Sequence, residues 1–378
     1  MYEYGKSKRI NIIYKKLIYF FYKYINAKTT ITKSAVKMCD KRIWINRTIN
    51  LLEKNQYKID WYWLSHNPNA ISILEKNIDK IYWDSLSGNP NAISILENNL
   101  YKIDWFWLSH NPNAISILEK NIDKINWDML SQNPNAITIL EKNQDKIDWY
   151  WLSDNPNAIS ILEKNQDKIE WDMLSSNPNA IHLLENNQDE IYWDSLSRNP
   201  NAIHLLEKNL DNNEIDWEYL SLNPNAIHLL EKNLDKIDWS YLSTNPKHMH
   251  ILEKNLDKID WEYLSENPNA IDLLEKNQDK INWGDLSENP NAIDLLEKNL
   301  DKIDWVYLSR NPNGISILEN NQHKIDWSKL SQNKGTYELN YKFLKERMDI
   351  IREDLMKAVY HPKRLGYYLE LGYDIFDE

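Results

Sequence analysis

The dipeptide Asn-Pro recurs along most of the chain, with proline at Pro68, Pro90, Pro112, Pro134, Pro156, Pro178, Pro200, Pro224, Pro246, Pro268, Pro290 and Pro312. Every step is 22 residues except the 24 from Pro200 to Pro224, where LDNNEIDW stands in place of LDKIDW. A unit this short cannot bury a hydrophobic face alone and must stack on its neighbours. The expected fold is therefore all-α: an α-solenoid of about twelve 22-residue repeats of two short helices, with helical caps at both ends. The insertion falls between predicted helices, where extra residues cost little closure entropy.

The unit at residues 59 to 81, IDWYWLSHNPNAISILEKNIDKI, holds two helix starts. Asp60 can cap a first helix that places Trp61 and Leu64 on one face. Asn67 can cap a second, with Pro68 at the first helical position, where its missing N–H does no harm. Ala70, Ile71, Ile73, Leu74 and Ile78 form the inner stripe, Ser72, Glu75, Lys76 and Asp79 face water, and Asn77 suits a left-handed exit. Helices this short do not persist alone, so stacking must supply the stability. Layers 8–10 Å apart predict a rod or superhelix on the order of 100 Å long, too extended to enclose a central pocket.

The ends break the pattern. Residues 1–45 form a basic head or N-terminal cap, residues 46–333 the tandem-repeat solenoid, and residues 334–378 a C-terminal helical cap with an acidic tail. Residues 46–59 contain a truncated unit, INLLEKNQYKI, as a terminal capping repeat would. Beyond Asn333, YELNYKFLKERMDIIREDLMKAVY reads as a longer amphipathic helix. The head carries eleven Lys and Arg against Glu3 and Asp40, so it is +9 and the remainder of this −12 chain is −21. An acidic body repels phosphate backbones, so nucleic acid is not an expected partner.

With 7 Gly against 17 Trp and 22 Tyr, the composition is unlike that of a loop-rich globular enzyme. No apolar run reaches the ~18 residues that a spanning helix needs. The lone Cys39 excludes an internal disulfide and suits a reducing, intracellular compartment. Within the head, INIIYKKLIYFFYKYI at residues 10–25 fits a helix lying on an anionic membrane surface; the competing and favoured reading is a cap drawn to the acidic solenoid.

Differences between repeats separate shared slots from tunable ones. Tryptophan recurs at Trp61, Trp83 and every equivalent position through Trp327, as a common core slot requires. Two residues further on the position varies: Trp63, Ser85, Trp107, Met129, Trp151, Met173, Ser195, Tyr219, Tyr241, Tyr263, Asp285, Tyr307 and Lys329. Trp63, Trp107, Trp151, Tyr219, Tyr241 and Tyr263 are candidate binding residues, since large aromatics beside carboxylates can form a ribbon for peptide segments; packing between repeats is the alternative.

A second ladder runs along the predicted outer face of the second helix and holds His182, His204, His228 and His250 in consecutive repeats. These invite a metal or pH-sensing role. Layers 8–10 Å apart hold imidazoles too far apart for zinc bonds of ~2 Å, so no metal site is assigned and a solvated duplication is favoured. No phosphate-binding glycine loop, H-E-x-x-H or G-x-S-x-G pattern occurs, and neither catalytic residues nor a cofactor are expected.

The pattern LSxNPNAIxLLEKNxDKIDW resembles that of short-repeat proteins encoded by giant DNA viruses of the mimivirus type, over roughly residues 46 to 378. The terminal HPKRLGYYLELGYD is similar to the ending of some of them. The Asn-Pro helix starts more distantly resemble leucine-rich-variant repeats, whose solenoids alternate two kinds of helix. The resemblance implies a viral origin and host-cytoplasmic or virion placement, and brings no activity with it. The expected function is a non-enzymatic protein–protein interaction scaffold, with a peripheral membrane tether anchored by the head as the alternative.

Overall fold

The computed structural model describes residues 44–211, 213–335 and 337–339. Cys39, the segment 10–25 and residues 340–378 lie outside the described residues. The chain divides into two units, Arg47–Thr336 and the two flanking segments Met1–Asn46 with Tyr337–Glu378. In the flanking unit the described residues form two antiparallel strands, β1 (Trp44–Asn46) and β2 (Tyr337–Leu339), with Ile45 opposite Glu338. Residues 337–339 therefore do not begin a helix as their local pattern suggests. Their backbone groups pair instead with a segment some three hundred residues away, which local propensity cannot register.

The repeat unit contains 26 short α-helices in regular tandem pairs, an α-solenoid. Each coil begins with a first helix such as Trp61–His66, continues through a turn at Asn-Pro into a second helix such as Ile71–Glu75, and in most coils closes with a 3-10 turn such as Ile78–Lys80. Asp60 caps the first helix as expected, its Oδ1 accepting from the Trp63 N–H at 3.4 Å; Asp148 does the same for Trp151 at 3.1 Å. Where Tyr82, Glu170 or Tyr192 holds the cap position no side chain caps the helix, yet it still forms, so packing rather than capping decides.

Two local expectations change. The second helix begins at Ile71 rather than at Pro68: Asn67 Oδ1 accepts from the Asn69 N–H at 3.0 Å and the Asn67 carbonyl from Ala70 at 3.1 Å, which makes a turn of the Asn-Pro segment. Asn77 is not left-handed, with φ −137° and ψ 49°; its side-chain amide caps the second helix by donating to the Ile73 carbonyl at 2.9 Å.

Leu64, Ala70, Ile73 and Leu74 and most of their equivalents form one continuous core, fully buried or nearly so. The tryptophan slot differs from the expectation of a core position. Trp61 and its equivalents are only half-buried, packed on the core by one face. A lysine closes the other: in eleven coils a lysine ammonium lies between 4.3 and 5.1 Å from the tryptophan ring centre, as Lys80 does over Trp61 at 4.8 Å.

Successive coils are stitched by side chains. Asn89, wholly buried, donates through Nδ2 to the Ser65 carbonyl at 3.0 Å and the Asn67 carbonyl at 3.1 Å, both in the preceding coil. Ser65 Oγ donates to its own helix at Trp61 O and accepts the Tyr82 N–H of the next coil at 3.1 Å. Asn91 reaches back to the Pro68 carbonyl at 2.8 Å. The same three links recur from coil to coil with few departures.

They also join the last coil to the first. Asn67 Nδ2 donates to the carbonyls of Ser331 and Asn333 at 3.1 and 3.0 Å, the Asp60 N–H donates to Ser331 Oγ, and Asn69 Nδ2 to the Lys334 carbonyl. The helix Trp327–Gln332 packs on Trp61–His66 as every first helix packs on the next. The solenoid is therefore a closed ring of thirteen coils, not an open rod. Arg47–Lys54 is correspondingly no terminal cap: it is the second helix of the thirteenth coil, whose first helix is Trp327–Gln332, and Lys58 lies 4.7 Å over Trp327. Arg47 pairs with Glu319 on one side, and Glu53 with Lys76 on the other.

Neighbouring first helices pack directly on one another, whereas neighbouring second helices are bridged mainly by long side chains such as Lys298 to Glu275 at 3.1 Å. Each coil is thus a wedge, narrow at the first helix, and the first helices form the inner wall. Thirteen packings at 8–10 Å give roughly 37 Å between opposite first helices. Among the described residues no helix is long and apolar enough to cross a membrane.

Candidate interaction surface

First helices such as Trp61–His66 expose their second, third and sixth positions, here Tyr62, Trp63 and His66, on the inner wall. The third position holds most of the sequence-predicted aromatics, and the structure leaves them in solvent: Trp63 is 37% exposed, Trp107 41%, Trp151 37%, Tyr241 37% and Tyr263 44%. Tyr219 is the exception, half-buried beneath Arg198, whose guanidinium stacks 3.5 Å from the ring centre. Trp63, Trp107 and Trp151 occupy alternate coils, with Ser85 and Met129 between them.

Second-position residues that sequence inspection passed over extend this surface. Tyr62, Phe106 and Tyr150 stand edge-on to Trp63, Trp107 and Trp151, with ring centres 5.1 to 5.2 Å apart. Tyr62 also meets Tyr82 of the next coil at 5.6 Å. Their strict alternation with Asp84, Asp128 and Asp172 was the available signal. The wall thus carries aromatic pairs separated by carboxylates over its early coils.

Further round, Glu262, Glu266, Asp285 and Glu288 form a carboxylate cluster on two adjacent coils. Burial, joined by repulsion from Asp285, Glu288 and Glu262, pushes the Glu266 carboxyl above its ordinary range. Asp285 is pushed up likewise, first by burial and then by Glu262 and Glu288. Acids that raise one another's proton affinity create a local negative potential, which attracts cations.

The histidine ladder lies on the second helices, away from this wall. His182 meets Glu163 at 2.7 Å, His204 meets Glu185 at 2.8 Å, His228 meets Glu207 at 3.5 Å and His250 meets Glu231 at 3.0 Å, each glutamate belonging to the preceding coil. The histidines act as ties between second helices, and among the described residues no group of three His, Cys, Asp or Glu side chains converges as a metal site would need.

Fold and surface together define a class: a closed ring of short helical coils with an aromatic and acidic inner wall, a repeat architecture typical of interaction scaffolds. Comparison with protein-family models, with curated proteins and with solved structures finds no match.

Proposed function

We propose that the protein is a non-enzymatic interaction scaffold that presents the inner wall of its ring to protein segments, and that it is of giant-virus origin and acts on viral or host proteins inside the infected cell. The observation that carries this reading is the run of exposed aromatic pairs on a backbone fixed by the Asn and Ser links. Exposed Trp and Tyr supply most of the energy in protein interfaces, and a rigid wall costs little entropy to dock against. The viral part rests on the LSxNPNAIxLLEKNxDKIDW pattern alone.

The test is affinity capture from host-cell lysate by the full chain and by a Trp63→Ser, Trp107→Ser, Trp151→Ser variant. Proteins held by the first and released by the second, with equal thermal stability of the two baits, support the reading. Identical captures would remove the aromatic wall as the binding surface.

A further inference from the structure

In eleven coils the residue over the first-helix tryptophan is the lysine of a Lys-Ile pair, such as Lys80-Ile81 or Lys168-Ile169. In two consecutive coils the pair reads Glu190-Ile191 and Glu214-Ile215. The register is unchanged, because Ile191 and Ile215 are buried in the same slot as Ile81 and Ile169. Trp171 and Trp193 accordingly carry no lysine over their rings among the described residues, and a glutamate stands at the position that supplies it elsewhere.

At this place the ring has an open pocket of about 580 Å³, lined among others by Trp193, Tyr192, Asp189, Glu190, Asp194 and Glu214. The 24-residue spacing falls in the same coil, so the loop preceding Glu214 is two residues longer than its counterparts. We propose that this pocket receives a lysine side chain from a basic segment of a protein partner, which completes over Trp193 the ammonium–indole contact that the chain makes for itself in eleven other coils.

An aromatic face attracts an ammonium through its quadrupole, and surrounding carboxylates add Coulombic attraction, so the pocket favours a cation and rejects an anion. The internal lysines show which cation fits, an ammonium on a four-carbon stem held 4.3 to 5.1 Å from the ring. Two charge reversals in adjacent coils turn a self-satisfied position into a receptor. The site goes beyond the aromatic wall: Trp63, Trp107 and Trp151 do not line it.

The experiment measures anisotropy of a fluorescein-labelled Gly/Ser peptide carrying two lysines, titrated with the full chain at low salt. A Glu190→Lys, Glu214→Lys variant restores the residues of the other coils, so it should fold as well as the parent and fill the site internally. We expect it to lose at least about tenfold in peptide affinity. An Asp123→Lys, Asp145→Lys variant, with the same change in net charge on distant coils, should lose less than about threefold. The Trp63, Trp107, Trp151 variant should keep the peptide, which separates this site from the aromatic wall. Should the lysine pair perturb folding, Glu190→Gln with Glu214→Gln should show a smaller loss in the same direction. Equal binding by the parent and the Glu190, Glu214 variant, an equal loss in the charge-matched control, or no peptide binding by the parent would each overturn the proposal.

Discussion

A single asparagine per coil carries much of the coupling between coils. Asn155 is buried and gives both amide protons to the preceding coil, to Ser131 O at 2.9 Å and Asn133 O at 3.2 Å. Asn155→Ala removes both donors and leaves the Ser131 carbonyl without that partner in a buried layer. We expect a loss of about 2 to 4 kcal/mol in chemical denaturation, against less than about 1 kcal/mol for Asn157→Ala, whose single link to Pro134 O is exposed. Comparable losses would show that the buried double link of Asn155 is worth no more than the exposed single link of Asn157. The sequence displays these asparagines at every repeat, yet reasoning along the chain assigns them to local caps. Their true partners lie 22 and 24 residues upstream, beyond the reach of capping rules.

At the scale of one coil, the exception is informative. The slot of Ala70 is filled in its fully buried equivalent by His248, whose Nε2 lies 3.0 Å from the Asn223 carbonyl. That carbonyl would otherwise go to Asn245, which turns instead to Leu222 O at 2.9 Å. Burial holds the His248 imidazole below its ordinary pKa, with His250 opposing its charge and the backbone contacts and Glu231 favouring it. In the unfolded chain it titrates near its ordinary value, so the unfolded state takes up the proton first as pH falls. The stability associated with a neutral His248 is whole above about pH 6.5 and is lost as pH drops from there toward the lower folded value. His248→Ala, the residue at most equivalent positions, should therefore lose less Tm than the parent between about pH 7 and pH 5.5 in calorimetry. Parallel pH profiles would exclude His248 as an acid-sensitive position. The two-helix coil itself, its Leu, Ile and Ala core and the first-helix cap were legible from periodicity, whereas the recurrent tryptophan, expected in the core, is only half-buried. The turn at Asn-Pro and the lysine over eleven of the tryptophans were not, because both depend on how the coil folds back on itself.

For the whole molecule, periodicity fixes which coils touch but not the small angle between them. An angle of roughly 28° per coil, set by how much closer the first helices pack than the second, decides between a rod and a ring. One sequence signal did exist. INLLEKNQYKI lacks a first helix and the unit at Trp327 lacks a second, so the repeat region begins and ends with complementary halves of one coil. Closure also leaves no end layer to cover, which removes the need for terminal caps. Deleting residues 1–58 should expose the faces formerly shared by the thirteenth coil. We expect the truncated chain to associate in sedimentation velocity, whereas the full ring sediments without such self-association through end faces. An unassociated truncated chain with an unchanged Tm would show that closure contributes nothing.

That thirteenth coil has a mechanical meaning as well. The chain enters the ring at Arg47 and leaves it beyond Asn333 from the same coil, whose two helices are joined by no direct peptide link. Tension between the two ends therefore falls first on the β1–β2 pair and then on the links of Asp60, Asn67 and Asn69 to residues 331–334, while the other coils carry load only after these have parted. The ring is in this sense a hoop with a clasp, and the clasp acts as a fuse: pulled at its ends it springs open into a twelve-coil arc before any coil unravels.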